Sequence, residues 1–231
     1  MRIVIAGGHG QVGLRLSRLL SRRGDEVVGL VRNPDHASDV TSAGGQPHVA
    51  DLEHTTAAEL APVLAGADAV VFAAGAGPGS GSARKDTVDR GAAALLADAA
   101  ERAGVRRYVL LSAMGVTDPS AAIDPVFAAY LRAKAASEED LRRRPLDWTV
   151  LRPGALTDDP GTGLVRLGAD VGHGSITRDD VAAVLVALLD EPASAGLTLE
   201  AVQGEDLVDA AVQAAARDEP GDGSTQALAD G

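Results

Sequence analysis

The amino-acid sequence predicts a single α/β domain whose doubly wound parallel sheet carries helices on both faces. Short apolar runs alternate with helical patterns up to about residue 151, an order typical of parallel strands joined by right-handed crossover helices. The first run, at residues 3–6, is β-branched without polar alternation, as expected of a strand covered on both faces. A chain of 231 residues is long enough to bury the core of one such domain.

Apolar runs and turn residues divide the first half of the chain into elements. Asn33 and Pro34 end the second strand, and Gly44 and Gly45 precede the third. The predicted strands are 3–6, 26–31, 46–50 and 68–73. Three helices are predicted between them: one that follows the glycine turn at 7–13, a short one that ends at about residue 43, and one over 55–64. Residues 75–82 form a glycine-rich loop at the carboxyl end of a strand, where ligands bind in such sheets, although a plain linker is the alternative.

The second half of the chain continues the alternation of strands and helices, and it also contains a long segment of turn-forming residues and an acidic C-terminal segment. The predicted helices are 86–103, 125–143, 181–189 and about 207–216, and the predicted strands are 107–112, 147–151 and about 197–202. Residues 152–174 are rich in Gly, Pro and Asp, and this length predicts a substrate loop. We therefore expect a nucleotide-binding domain over 1–216 with a substrate region at about 152–216. Residues 217–231 are acidic and have little to bury, which predicts a disordered tail.

Composition narrows the class of protein. The net charge of −12, of which −9 lies in residues 190–231, argues against a nucleic-acid partner. The chain has no cysteine, and no apolar segment resembles a signal peptide or a membrane span. We expect a cytoplasmic monomer or homodimer that acts on a small molecule. Lysines number two against nineteen arginines, a bias typical of GC-rich bacterial genomes, so each lysine is informative.

Metal and hydrolase sites are not expected. His48, Asp51 and His54 are three residues apart, but they straddle a strand end and a loop, which does not favour a shared metal. The chain also lacks the Gly-x-Ser-x-Gly turn of serine hydrolases.

The glycines between the first strand and the first helix predict a dinucleotide site. Gly7 allows a tight turn, Gly10 leaves no Cβ between the backbone and a pyrophosphate, and Gly13 allows the helix to pack closely on the strand. The N–H groups and dipole of the helix N-terminus then attract phosphate. A glycine-rich turn without a ligand is the alternative.

Together with later motifs, this turn resembles the short-chain dehydrogenase/reductase superfamily, and more narrowly its atypical single-domain NAD(P)H-binding group of epimerase-like and flavin-reductase-like proteins. The resemblance runs to about residue 216 and includes a Rossmann-type fold. The matching segments are GGHGQVG at 7–13, LVRNP at 30–34, DL at 51–52, FAAG at 72–75, residues 88–115, YLRAK at 130–134, WTVLRPGALTD at 148–158 and ITRDDVA at 176–182.

The resemblance implies a set of cofactor-binding residues. The phosphate-loop positions are Gly7, Gly8, His9, Gly10, Gln11, Val12 and Gly13. Asp51 and Leu52 are similar to residues that hold and cover the adenine, while Ala73, Ala74 and Gly75 leave room for the ribose. Pro153 and Gly154 match the turn beside the nicotinamide.

The end of the second strand bears on the choice between NADP and NAD. NAD enzymes place an acid there for the ribose hydroxyls, but here Leu30 and Val31 are followed by Arg32. A guanidinium can pair with the 2′-phosphate of NADP, and we expect no acid there to repel that phosphate. The sequence thus favours NADP(H), with NAD(H) possible. A solvated arginine near a turn is the alternative.

Tyr130 and Lys134 are the candidate catalytic pair. They are rare residues four apart on one predicted helix, so they share a face. The lysine is expected to lower the pKa of the phenol and to hold the nicotinamide ribose, which would let the tyrosine act as the acid in carbonyl reduction. A surface Tyr and Lys on an amphipathic helix is the alternative.

Ser112 resembles the family serine that polarises the substrate carbonyl. Because the segment SAMG has one serine where relatives often have several, Ala113 or Met114 is an alternative substrate-facing position.

These residues predict an oxidoreductase that uses NADPH to reduce a small carbonyl, quinone or flavin-like acceptor. A non-catalytic NADP(H)-binding sensor is a second hypothesis, distinguished by turnover. A nucleotide-sugar epimerase or dehydratase is a third, disfavoured because about 65 residues follow the sixth strand, too few for the usual substrate domain.

Overall fold

The computed structural model describes residues 1–75, 77, 85–122 and 124–217. Its strands are β1 (Arg2–Ala6), β2 (Glu26–Val31), β3 (Gln46–Val49), β4 (Ala69–Phe72), β5 (Arg107–Leu111), β6 (Asp147–Pro153), β7 (Ala155–Thr157), β8 (Leu164–Gly168), β9 (Ser175–Thr177), β10 (Thr198–Gln203) and β11 (Asp206–Leu207). Its α-helices are α1 (Gln11–Arg23), α2 (Ala37–Ser42), α3 (Ala57–Leu64), α4 (Ala93–Ala103), α5 (Pro125–Arg142), α6 (Arg178–Asp190) and α7 (Val208–Arg217).

Nine strands form one sheet in the order β11-β8-β10-β6-β5-β4-β1-β2-β3. The run from β3 to β10 is parallel, which confirms the doubly wound α/β fold. At one edge of this mostly parallel sheet, β8 runs antiparallel to both β10 and β11. The strand order reverses at β1, which has β2 on one side and β4 on the other. Ligands bind at the carboxyl end of such a switch point.

Alternate side chains of the parallel strands supply two cores. From β1, Ile3 and Ile5 pack in one core with α1, α6 and α7. Val4 and Ala6 pack in the other with α3, α4 and the end of α5. Both faces of the central strands are therefore apolar, which explains why their sequences lack polar alternation.

The expected substrate loop at 152–174 is more ordered than predicted. It contains β7 and β8, and β7 pairs in parallel with β9 to form a second, two-stranded sheet. Its strands are short and separated by Gly, Pro and Asp, so local composition concealed them. Helix α6 begins at Arg178, three residues before the predicted start, because Thr177 caps it by accepting a hydrogen bond from the Asp180 N–H.

The predicted helix at 86–103 is present, but its beginning, Lys85–Ala92, is π-helical. Two other predictions fall largely outside the described residues: the loop at 75–82, of which residues 75 and 77 are described, and the tail from 218 onward. Arg217, placed in the tail by the sequence, is instead the last residue of α7. No helix in the described ranges has the length and hydropathy needed to cross a membrane.

A buried carboxylate fastens the segment before β8 to the start of α6. Asp180, which is 2% exposed, accepts hydrogen bonds from the Gly163 N–H at 2.8 Å and the Thr162 N–H at 3.0 Å. The hydroxyls of Thr162 and Thr177 also donate to it, at 3.2 and 2.9 Å. Asp180 therefore connects the backbone at Thr162 and Gly163 to the start of α6.

We predict that Asp180→Asn destabilises the protein by about 1.5–3 kcal/mol, because the amide weakens charge-assisted hydrogen bonds in a buried place. Thermal unfolding of the variant measures the loss. Asp209→Asn, an exposed change in the first turn of α7, is the control and should leave the melting temperature nearly unchanged. An unfolding curve of Asp180→Asn that overlays the wild type would contradict the tether.

Candidate cofactor and active site

The glycine turn after β1 has the geometry that phosphate binding requires. Gly7 has a φ of +83°, and a Cβ there would lie 2.7 Å from the Cα of Ala74. The Gly10 N–H donates to the Gly7 carbonyl at 2.8 Å and closes the turn. A Cβ at Gly13 would lie 2.2 Å from that same carbonyl oxygen. The close packing of α1 on the turn thus depends on the absence of side chains at both positions.

The N-terminus of α1 is open to an anion. Gly10 is its N-cap, no side chain caps it, and its first turn carries no acidic residue. Gly8 is fixed behind it, since its N–H donates to the Leu30 carbonyl at 3.0 Å and a Cβ would lie 2.7 Å from the Cα of Gly29. These residues fit the pyrophosphate of a dinucleotide. Val12 is 6% exposed and belongs to the core, so it supports the turn from inside.

A cleft at the switch point brings most of the predicted cofactor residues together. The predicted residues that line it are Gly7, His9, Gly10, Arg32, Asp51, Leu52, Ala73, Ala74 and Gly75. The sequence did not assign a role to other lining residues, namely Leu30, Val31, Asn33, His36, Ala50, Glu53, Val88 and Ala92. The cleft runs from the phosphate turn across the ends of β1, β2, β3 and β4, the path an adenosine moiety takes in this fold.

The adenosine end of the cleft contains an acid that the sequence did not predict. Arg32, on the end of β2, donates to Glu53 across 3.3 Å. The Thr87 hydroxyl also donates to Glu53, at 2.6 Å. Asp51 accepts the Glu53 N–H at 3.0 Å, which fixes the backbone after β3. The expectation that no acid is present near Arg32 was wrong, because Glu53 reaches it from the neighbouring strand end.

Two histidines form part of the same wall. The rings of His9 and His36 are stacked, with centroids 3.6 Å apart, and Nε2 of His9 lies 2.8 Å from an Asp39 carboxylate oxygen. His9 therefore connects the phosphate turn to the short helices after β2.

Lys134 is buried at the floor of the site, with 3% of its surface exposed. Its Nζ donates to the carbonyls of Leu111 at 2.9 Å and Ala74 at 3.4 Å, and lies 3.4 Å from the Asp89 carboxylate. It lies 5.9 Å from the centroid of the Tyr130 ring. The two residues share one face of α5 as predicted, and the ammonium joins the ends of β4 and β5 to that helix.

The electrostatics of Tyr130 differ from the prediction. Burial, followed by the negative charge of Asp89, raises the pKa of the phenol above its ordinary value. The expectation of a lowered pKa was wrong, because burial outweighs any effect of Lys134. The phenol is protonated at neutral pH, as an ordinary tyrosine is, and the upward shift of its pKa makes it a weaker acid. Tyr108, the other tyrosine, is buried and donates to the Ala93 carbonyl at 3.2 Å.

Ser112 does not offer its hydroxyl proton to a substrate carbonyl, the role that the resemblance implies. Its hydroxyl, in a residue 3% exposed, donates to Glu138 at 2.5 Å. Arg152 donates to both oxygens of Glu138, at 2.9 and 2.6 Å, and Arg142 donates to one at 2.7 Å. Burial alone would raise the pKa of Glu138, but these hydrogen bonds hold it below its ordinary value. The Ser112 proton is therefore committed to a buried carboxylate.

The turn after β6 supports the site through its backbone. The Met114 N–H donates to the Pro153 carbonyl at 3.0 Å, and the Gly154 N–H donates to that of Ala201 at 2.9 Å. A Cβ at Gly154 would lie 2.3 Å from the Gly174 carbonyl oxygen. Glycine at 154 is thus required by packing, and Pro153 and Gly154 do not line the adenosine cleft.

Comparison with known proteins agrees with this geometry. A sequence profile of an NAD(P)H-binding family matches residues 7–192. The chain belongs to this NAD(P)H-binding family. It is 32% identical to the uncharacterized sugar epimerase YhfK of Bacillus subtilis, in an alignment covering 89% of this chain and 95% of YhfK.

Solved structures are similar over most of their length. A candidate NAD-dependent epimerase/dehydratase from Bacillus halodurans superposes with a TM-score of 0.86 and 33% identity, covering 93% of this chain and 99% of that one. ChuY, an anaerobillin reductase from Escherichia coli O157:H7, superposes with a TM-score of 0.75 and 25% identity, covering 88% of this chain and 97% of ChuY. The fold and the atypical short-chain dehydrogenase/reductase character inferred from the sequence are confirmed.

We predict that Ser112→Ala keeps its turnover number within about threefold of the wild type, because the hydroxyl serves Glu138. The variant should instead lose about 1.5–3 kcal/mol of stability, the typical contribution of a hydrogen bond to a charged group. Ser137→Ala, which removes a buried hydroxyl bound to the Lys134 carbonyl, is the matched control. If the turnover number fell by the 10²–10³-fold typical of a lost oxyanion donor, Ser112 would have to polarise the substrate after all.

Proposed function

We propose that this protein is an NADPH-dependent oxidoreductase that reduces a small carbonyl, quinone or flavin-like acceptor. The observation that carries the proposal is the buried Lys134 beside the partly buried Tyr130, at the carboxyl ends of β4 and β5 and next to the glycine turn. A buried ammonium is costly, and a site for a ribose and a reacting carbonyl accounts for its presence there.

The cofactor would occupy the cleft from the glycine turn to the end of β3. Gly7, Gly10 and the N–H groups of α1 would hold its pyrophosphate, and Ala73 and Ala74 would border its ribose. Lys134 would hold the nicotinamide ribose hydroxyls. The bound cofactor supplies the hydride that reduces the acceptor.

The protein's chemical contribution is a proton from Tyr130. The phenol is protonated at neutral pH, and it would release its proton as negative charge develops on the acceptor oxygen. Lys134 would then stabilise the phenolate left behind, and solvent would return the proton. The similarity to ChuY, which is a reductase, supports the reaction class.

One observation favours a second candidate, a non-catalytic protein that senses NADP(H). Ser112 donates to Glu138, so Tyr130 would act without a second hydroxyl donor from Ser112. A screen of carbonyls, quinones and flavins, read out as NADPH oxidation, distinguishes the two. NADPH binding without turnover of any acceptor would support the sensor.

We predict that NADPH binds more tightly than NADH, because Arg32 offers a cation to the 2′-phosphate. The contact is worth about 1.5–3 kcal/mol, so Arg32→Ala should reduce the preference by roughly 10–100-fold. Glu53→Gln removes the carboxylate that competes for Arg32 and should strengthen NADPH binding a few-fold without changing NADH. Calorimetric titration measures both affinities. Equal binding of the two cofactors by the wild type would refute the preference.

We predict that Tyr130→Phe lowers turnover of a carbonyl acceptor by about 10²–10⁴-fold, the usual contribution of general acid catalysis. NADPH affinity should stay nearly unchanged, since the phenol acts only as charge develops on the acceptor. Lys134→Ala should weaken both binding and turnover. Steady-state kinetics and titration separate these effects. A full rate in Tyr130→Phe would mean that the acceptor needs no protein acid or that the pair is structural.

A further inference from the structure

An exposed aromatic ring extends the active face of α5 toward solvent. The chain has five aromatic residues, and all lie in described ranges. Phe72 and Tyr108 are fully buried, whereas Phe127 is 48% exposed. Tyr130 and Trp148 are partly buried. Single exposed apolar side chains are common, so the case for Phe127 rests on its position beside Tyr130 and not on its exposure alone.

Phe127 is aligned with the catalytic pair. It lies three residues before Tyr130, and the two rings are stacked with centroids 5.8 Å apart and planes inclined by 25°. Residues 127, 130 and 134 lie on one face of α5, because their spacing is three and then four residues. Exposure decreases along this face from Phe127 through Tyr130 to the buried Lys134. A molecule reacting at the Tyr130 hydroxyl would thus have Phe127 on its outward side.

We propose that Phe127 is a specificity-determining residue that selects flat, fused-ring quinones as acceptors. This inference rests on the proposed function. A one-ring acceptor that reaches Tyr130 needs no surface beyond it, whereas a second fused ring extends over Phe127 and stacks on it. Offset stacking of aromatic rings is the favourable geometry at such distances.

The charge near the ring favours an uncharged acceptor. Asp124 caps α5 by accepting the Val126 N–H at 2.9 Å, and its carboxylate therefore lies within one turn of Phe127. The Asp124 carboxylate offsets the positive end of the α5 dipole, so this end of the helix offers an anionic acceptor no net attraction. We therefore commit to a neutral naphthoquinone and exclude flavin mononucleotide as the preferred acceptor.

The reaction balances with groups already named. The quinone accepts a hydride, two electrons and one proton, from the nicotinamide of NADPH. It accepts a second proton from the Tyr130 hydroxyl, so that hydroquinone and NADP⁺ are the products. The phenolate of Tyr130 regains its proton from solvent.

The test compares Phe127→Ala with Val126→Ala, which truncates an adjacent side chain that is 42% exposed but lies about 100° around the helix. NADPH oxidation is measured with 1,4-naphthoquinone and with 1,4-benzoquinone. Phe127→Ala should lower kcat/KM for naphthoquinone about tenfold and leave that for benzoquinone within about twofold, since the stacking contact serves the second ring. Val126→Ala, the control variant, should not lower kcat/KM selectively for naphthoquinone. Phe127→Ala should not lower kcat/KM for flavin mononucleotide, the control acceptor.

A second readout keeps the inference separate from the proposed function. Ligand-observed NMR measures naphthoquinone binding to the NADP⁺-loaded protein without turnover. One outcome is that the wild type binds naphthoquinone without oxidising NADPH, while Phe127→Ala fails to bind it. That result would refute the proposed function and support the aromatic site. Equal losses for both quinones, equal effects of the two substitutions, or a loss that follows a change in oligomeric state on gel filtration would overturn the inference.

Discussion

The burial of the Lys134 ammonium group determines how the candidate active site is arranged. Removing Lys134 from water costs several kcal/mol unless its N–H groups find partners. The structure supplies carbonyls at the ends of two strands and the Asp89 carboxylate of the π-helical segment before α4. Strand ends, π-helical segment and α5 are thereby held in one arrangement, with Tyr130 and Phe127 placed along the helix above it.

The fold was predictable from the sequence because its signals are local. Apolar runs without alternation marked β1, β2 and β4, and glycines at 7, 10 and 13 marked the turn at the switch point. Tyr130 and Lys134 were found for the same reason, since helical spacing places residues four apart on one face. The strands β7 and β8 were missed because their pairing partners, β9 and β10, lie far along the chain while their own composition indicates a loop.

The errors at the site have a common physical origin. The partner of each misjudged residue comes from another element: Glu53 reaches Arg32 from the end of the neighbouring strand, and Glu138 reaches Ser112 from α5. The Tyr130 phenol was misjudged because spacing indicates its neighbours but not its burial, and burial dominates its pKa. Part of the environment of Glu138 was visible in the sequence, since Lys134 lies four residues before it and Arg142 four residues after it on the same helix. Its contact with Arg152 was not visible, because Arg152 lies on β6.

The carboxylate of Asp180 has a consequence for protein engineering. It binds the segment before β8 mainly by accepting hydrogen bonds from two main-chain amides, at positions 162 and 163, and the hydroxyl of Thr162 donates one more. Because main-chain amides make most of this contact, a replacement segment must keep the backbone turn toward the start of α6, including the left-handed conformation of Gly163 at a φ of +71°, more than it must keep particular side chains. A segment of different sequence between β7 and β8 could therefore be held at the same place without changes to the sheet core.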